Sequence, residues 1–251
     1  MSIMTDESLA GETAIVTGAS TGIGAATCRA FAAAGANVVL AARSEDQLAD
    51  LADELESDHG VETLVVPTNV REEDAVDALI DETVETFGGI DVLVNNAGLS
   101  RGGEVDELTT EEYETMQETN VDGVFYATRA AIPHVRERDG HLIFVASFAG
   151  RHPRPANPVY AATKWWTRGF AKSVAAQIGD DDVGITVVNP AEVRSQFETG
   201  DGRTFADAYD EDEASEPEEV AEAIAFAAGQ DRSSISEIDI NPRDKFADTF
   251  F

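Results

Sequence analysis

The sequence predicts an α/β fold in which one domain, residues 1–251, carries a parallel sheet. Three observations carry this. Short apolar strand-like runs alternate with helical stretches from Thr13 to Ile240. The first run leads through a Gly-rich turn into a helix. No repeat and no linker interrupts the pattern. Strand–helix–strand alternation makes each connection a crossover, so the strands run parallel and ligands collect at their carboxyl ends. A chain of 251 residues is long enough to bury one full core.

The elements follow in order. Residues 13–17 (T-A-I-V-T) read as a buried strand, and G18-A-S-T-G22-I-G24 opens a helix that reaches about Ala34 and closes at Gly35. Residues 37–42 form the second strand and complete a βαβ unit. Its glycines let the backbone approach a pyrophosphate lying at the positive helix N-terminus. Gly18, Ser20, Thr21, Gly22, Ile23 and Gly24 are therefore candidate nucleotide contacts. At the end of the second strand an acidic residue would accept from the ribose 2′-hydroxyl of NAD; here Ala42 and Arg43 stand instead. The planar fork of Arg43 suits a 2′-phosphate. The alternative is a solvent-exposed arginine at a strand end.

Ser44 with Gln47 resembles a capping box for a helix over 45–59. Strand 62–66 ends at Asn69 and Val70, helix 72–87 closes at Gly88-Gly89, and strand 91–94 ends in N95-N96-A97-G98. Thr109 and Glu112 cap a helix expected to run to about Arg138, bent at Pro133. Asn120 lies inside it, where asparagine is a poor choice without a structural or chemical task. Strand 141–146 ends at Ser147, and a Pro-rich loop leads to a helix over 159–178. Strand 185–188 runs into N189-P190-A191-E192-V193-R194-S195. Segment 196–216 is acidic and polar, and reads as a surface segment or a lid. A helix starts around Ser215, Pro217 and Glu218 and reaches about Ala228, and a last strand covers 236–240.

Tyr160 and Lys164 are four residues apart, so on a helix they share a face. A free tyrosine titrates near 10. A fixed ammonium beside it favours the phenolate and makes the phenol a usable proton donor and acceptor. Ser147, on the facing strand end, is placed to hydrogen-bond the same substrate oxygen. The alternative for the pair alone is a half-buried tyrosine beside a surface lysine.

Composition bounds the partners. Asp and Glu number 49 against 17 Lys and Arg, a net charge of −32 spread along the chain. Such a charge repels itself in dilute buffer, whereas near 1 M salt the Debye length falls to about 3 Å. The expectation is a halophilic protein; an ordinary acidic protein is the alternative. With no basic patch, nucleic acid is not expected as a partner. No apolar run approaches the ~20 residues of a membrane span. The N-terminus lacks a basic segment followed by an apolar one, and Cys28 is the one cysteine. A cytoplasmic location is expected. No cluster of residues is spaced as a metal site, and His59, His134 and His141 read as structural or exposed. Arg151, His152 and Arg154 lie between Ser147 and Tyr160; each reads as a surface residue paired with an acid, with contact to a substrate carboxylate as the alternative.

Together T17-G-A-S-T-G-I-G24, N95-N-A-G98, Asn120, Ser147 and Y160-A-A-T-K164 resemble, in order, the motifs of the short-chain dehydrogenase/reductase superfamily, over about Leu9 to Ile240. The resemblance implies a single-domain, three-layer Rossmann-type fold with a doubly wound parallel sheet of about seven strands. It also implies a nicotinamide cofactor and hydride exchange between an alcohol and a carbonyl. By position, Tyr160 is the general acid/base, Lys164 lowers its pKa and holds the nicotinamide ribose, Ser147 polarises the substrate oxygen, and Asn120 anchors a relay water. Ser20 and Arg43 match positions favouring NADP(H) over NAD(H). Asn69 stands where an Asp usually meets adenine, with Val70 beside it, and Asn96, Ala97 and Gly98 shape the adenosine end. Pro190, Val193 and Ser195 match the nicotinamide loop, although Ala191 replaces its usual Gly and Ser195 its usual Thr. The ending I238-D-I-N-P-R243, with A149-G-R151 and R168-G-F170, resembles an NADP-preferring subgroup acting on 3-hydroxy acids, serine and assorted ketones. Relatives of this kind are homotetramers or homodimers, and one of the adjacent Trp165 and Trp166 is expected at a subunit interface. A cofactor-sensing protein without catalysis is the alternative from another class.

Overall fold

The computed structural model describes residues 8–198, 203–210, 213–243 and 245. Its strands are β1 (Thr13–Thr17), β2 (Asn37–Ala42), β3 (Thr63–Pro67), β4 (Val92–Asn95), β5 (His141–Val145), β6 (Gly184–Pro190) and β7 (Glu237–Ile240). They form one sheet in the order β3-β2-β1-β4-β5-β6-β7, every pair parallel. The helices are α1 (Gly22–Ala33), α2 (Glu45–His59), α3 (Glu73–Phe87), α4 (Thr110–Gln117), α5 (Gly123–Arg136), α6 (Pro158–Gln177), α7 (Phe205–Ala208) and α8 (Pro217–Ala228). The parallel sheet is what the alternation implied, and the doubly wound, Rossmann-type fold is what the resemblance implied. No helix among the described residues is long and apolar enough to cross a membrane.

Strand periodicity separates two cores. Successive strand side chains point to opposite faces. Ala14, Val16, Val38 and Leu40 join Leu48, Leu55, Val220 and Ile224 on the face covered by α1, α2 and α8. Ile15, Val39, Leu93 and Phe144 join Leu79, Val124, Ala131 and Val174 under α3, α5 and α6. Both faces are covered, so the strands are near-continuously apolar.

One helix and one cap differ from the reading above. The helix expected from Thr110 to Arg138 is two α-helices joined by a π-turn, Glu118–Asp122, that contains Asn120. Thr109 and Glu112 do form the reciprocal cap. Ser44 does not cap α2, because its φ/ψ of −94°/85° leaves the β region that brings a cap hydroxyl over the first turn. The helix expected to start around Ser215, Pro217 and Glu218 is α8, capped by Glu216 with Glu219.

The order of the sheet reverses between β1 and β4. The crevice of an open α/β sheet lies outside the strand carboxyl ends at such a reversal.

Candidate active site

The crevice is built from the end of β1 outward. Thr17 Oγ1 donates to the Val94 carbonyl at 3.1 Å and accepts from the backbone N–H groups of Asn96 at 3.0 Å and Ala97 at 3.1 Å. Asn96 Nδ2 donates to the carbonyls of Thr17 at 2.8 Å and Gly18 at 3.3 Å. The Gly-rich turn and the segment after β4 are thereby fixed as one unit. A Cβ on Gly24 would collide with the Gly18 carbonyl oxygen and crowd Asn96, so only glycine lets α1 approach the turn this closely. Gly18 itself sits at φ +68°. No side chain caps α1, and Thr21, Gly22 and Ile23 at its start line a cavity of about 610 Å³. Uncommitted first-turn N–H groups facing a cavity make an anion site.

The sequence-predicted residues converge on this cavity. All of them line it except Gly24, which holds α1 in place, and Asn120, which stands behind the wall. Arg43 at the end of β2 is exposed, with no ion-pair partner among the described residues. Ser44 lines the cavity beside it. Asn69 donates to Glu72 at 2.7 Å, and its oxygen receives the Arg71 N–H at 3.4 Å. Thr119 also lines the cavity; it is buried, and its hydroxyl has no hydrogen-bond partner. The cradle of glycines, N–H groups and Arg43 fits a dinucleotide.

At the other end stands the Tyr160 cluster. Asn157 caps α6 by accepting from the Tyr160 N–H at 3.1 Å, with Pro158 in the first turn, and donates to Ser100 at 2.6 Å. The sequence reading left Pro158 in the preceding loop, although an Asn-Pro pair is a helix-start signal. Ser147, extended at the end of β5, accepts from Ala149 N–H at 3.1 Å and lines the cavity with Tyr160, whose titration it lowers. Lys164 is buried and donates to the Val145 carbonyl at 2.9 Å, with its ammonium 5.9 Å from the centre of the Tyr160 ring. Burial brings Lys164 down to about 8. Burial also raises Tyr160 above its ordinary value, against the pull of the Ser147 hydrogen bond and the Arg154 charge. The expected depression of Tyr160 by Lys164 is thus not what this arrangement shows. Lys164 titrates low and spends its ammonium on a main-chain carbonyl, so Ser147 and Arg154 do the lowering.

Asn120 uses the π-turn to reach across to another segment. Its oxygen accepts from Leu99 N–H at 2.9 Å, and its Nδ2 donates to the Leu99 carbonyl at 2.8 Å and to Thr163 Oγ1 at 3.1 Å. Its side chain therefore pins the chain after Gly98 to α6. A Cβ on Gly98 would stand 3.3 Å from Lys164 Nζ and 3.4 Å from Asn120 Oδ1, which leaves that space to both side chains.

Segment 196–216 was read as polar, but its described part is aromatic toward the cavity. Phe197 lies 5.8 Å from the Tyr160 ring, Phe205 5.9 Å from Phe197, and Tyr209 is stacked at 5.5 Å on Phe205. The sequence shows these aromatics singly among acids, and only the turn into α7 brings them into a row. Residues 199–202 and 211–212 of this segment, with part of the acidic run Asp210–Glu213, lie outside the described residues. Arg151 pairs with Asp239, as expected of a surface residue, and His152 stacks at 4.1 Å on Phe148. Arg154 instead lines the cavity and bonds Glu192 at 3.0 Å. His141 is buried and joined to Thr186 at 2.8 Å. Among the described residues, no group of three or more His, Cys, Asp or Glu is placed to hold a metal ion.

A family model described as short chain dehydrogenase matches residues 12–204. An uncharacterized oxidoreductase of Staphylococcus aureus is 32% identical over 244 residues, which are 96% of this chain and 100% of that protein. Among solved structures, an alcohol dehydrogenase from the archaeon Thermococcus sibiricus, complexed with 5-hydroxy-NADP, superposes with a TM-score of 0.85 at 30% identity, over 92% of this chain and 97% of that one. A 3-ketoacyl-(acyl-carrier-protein) reductase from Brucella melitensis, complexed with NADH, gives 0.82 at 30% identity, over 92% and 97%.

Proposed function

Because the chain belongs to the short chain dehydrogenase family, we propose that it is an NADP(H)-dependent oxidoreductase that interconverts an alcohol and its carbonyl compound, hydroxy acids and 3-hydroxyacyl compounds among them. One observation carries this reading above the others. Tyr160 and Ser147 share one cavity with the uncapped N-terminus of α1.

The nicotinamide, when bound, supplies a hydride to the carbonyl carbon or takes one from the alcohol carbon. This chain's residues do the rest. Ser147 holds the substrate oxygen by a hydrogen bond. Tyr160 delivers its proton to that oxygen as negative charge develops there, and takes it back in the reverse direction. Lys164 fixes the ribose side of the cavity and adds positive charge once a ligand draws its ammonium from Val145. Asn120 keeps Leu99 and Thr163 registered beside Lys164, as part of the path by which the proton is replaced. Pro190, Val193 and Ser195 wall the nicotinamide end, and Asn69, Val70 and Asn96 to Gly98 the adenosine end.

Neighbours in complex with NADP and with NADH are both known, so the choice falls on the chain's own residues. Arg43, with Ser20 and Ser44 on the same cavity, places a cation and two hydroxyls where a 2′-phosphate would lie, and no carboxylate stands at the end of β2. Segment 196–216 acts as the substrate lid through its aromatic row. The protein works in a cytoplasm of high salt, as its charge suits. It is a homotetramer or homodimer: Trp165 is 49% exposed on α6, while Trp166 stacks on Phe170.

The test is Tyr160→Phe, assayed by NADPH consumption over a panel of ketones, oxo acids and sugars at molar salt. Turnover falls by several orders of magnitude while NADPH still binds. Retained turnover refutes the mechanism, and an unmutated chain that binds NADPH but reduces nothing restores the cofactor-sensing alternative.

A further inference from the structure

The chain carries a net charge of −32, yet its cavity is positive. Among the described residues, Arg43, Arg71, Arg101, Arg154 and Lys164 line it, against only Glu192 and Glu198. Arg43 and Arg71 stand with Asn69 at the nucleotide end and Lys164 at the centre, which leaves Arg101 and Arg154 for the substrate end. Arg101 pairs with Glu198, one cation to one carboxylate.

Arg154 is differently placed. Its partner Glu192 is 6% exposed and is held through both oxygens by Lys245, from the far end of the chain. Arg154 reaches it through one nitrogen only, at 3.0 Å. Both cations lie against one ring, Lys245 4.7 Å and Arg154 5.5 Å from the centre of Phe148. Among the described residues, two cations therefore share one carboxylate, and the cluster keeps a net positive charge beside the reacting phenol. A guanidinium has five N–H donors in a planar fork. A cation left over beside a catalytic centre, in a molecule this acidic, selects for an anion.

Resting on the reading of Tyr160 above, we infer that the substrate is a carbonyl compound bearing a carboxylate, and that Arg154 receives it. The fork matches a planar carboxylate. The single surplus charge suits a monoanion; a phosphate dianion would meet the buried Glu192 with one negative charge unbalanced. The aromatic row of Phe197, Phe205 and Tyr209 faces the carbon chain of that substrate. Lys245 becomes a specificity residue at a distance: by occupying Glu192 it keeps the Arg154 charge available.

The experiment compares kcat/KM for oxo acids and for their own methyl esters, starting with acetoacetate and methyl acetoacetate, with NADPH at fixed salt. The intact enzyme prefers the acid of each pair. Arg154→Gln lowers the acid-to-ester ratio by about 10–100-fold, the worth of a charge-assisted hydrogen-bonded contact. Lys245→Gln lowers the same ratio without removing any cavity cation, because Glu192 then neutralises Arg154. Should Arg154→Gln fail to fold, the Lys245 variant decides alone. An intact enzyme that prefers the esters, or variants that reduce both members of a pair equally, overturns the inference and leaves the oxidoreductase reading standing. No NADPH consumption with any pair overturns both.

Discussion

Burying Lys164 is costly to stability, and the cost has a signature in pH. Lys164 is 5% exposed, its ammonium has one carbonyl partner, and burial lowers its pKa from 10.5 to about 8. Below pH 8 the lysine is protonated both folded and unfolded, so the full penalty of the buried charge is present. Between 8 and 10.5 the folded chain has released a proton that the unfolded chain still holds, and the penalty shrinks as pH rises. Above 10.5 neither form holds it. At about 1.4 kcal/mol per pH unit, the interval from 10.5 to 8 amounts to about 3 kcal/mol. Lys164→Met removes this dependence. The measurement is urea unfolding of Lys164→Met and of the lysine form from pH 7 to 11 at fixed salt, both in a Tyr160→Phe background so that the phenol drops out of the difference. The methionine form is the more stable one at pH 7, and its advantage declines by about 3 kcal/mol from pH 8 to 10.5. Lost packing or the lost bond to Val145 shifts the whole difference curve but cannot bend it. A difference that stays flat across this range refutes the argument that the charge is buried at a cost. With Tyr160 intact, the same substitution lowers turnover by about 10²–10⁴-fold, the scale of general acid–base assistance.

Three further outcomes test the remaining parts of the site and of the surface. Arg43→Gln lowers the kcat/KM advantage of NADPH over NADH by about 10–100-fold, as loss of a charge-assisted contact to a 2′-phosphate requires; an unchanged ratio assigns Arg43 to solvent. Thr119→Val raises the melting temperature without ligand, since an orphan buried hydroxyl costs about 1–3 kcal/mol. A melting temperature that falls without ligand shows that the hydroxyl was satisfied all along. The melting temperature also rises from dilute buffer toward molar salt as the charge of −32 is screened; greatest stability below about 0.2 M salt counts against a high-salt origin.

Much of the architecture was legible because it is written locally. Apolar strands such as Thr13–Thr17 and Asn37–Ala42 stand between helices with glycine stops, and their positions needed no tertiary information. Where reading failed, a local rule met a nonlocal demand. Ser44 has the spacing of a cap, but its backbone leaves the β region and α2 goes without its side chain. The run from Thr110 to Arg136 reads as one helix, yet its middle opens into a π-turn where Asn120 reaches Leu99 and Thr163. Phe197, Phe205 and Tyr209 look like stray apolar residues in an acidic segment until folding stacks them beside Tyr160.

The sequence by itself determined which side chains stand at the ends of the strands. Strand periodicity and glycine turns fix that within a few residues of each position, so Ser20, Arg43, Asn96, Ser147 and the Tyr160–Lys164 spacing were all in view. Tertiary structure alone decided which charges share a partner. Glu192, Arg154 and Lys245 come from three separate segments, and only packing shows two cations on one buried carboxylate. It also decided the titration of Tyr160 and Lys164. A helical spacing places two groups on one face, but their pKa values follow from how much water the rest of the fold leaves around them.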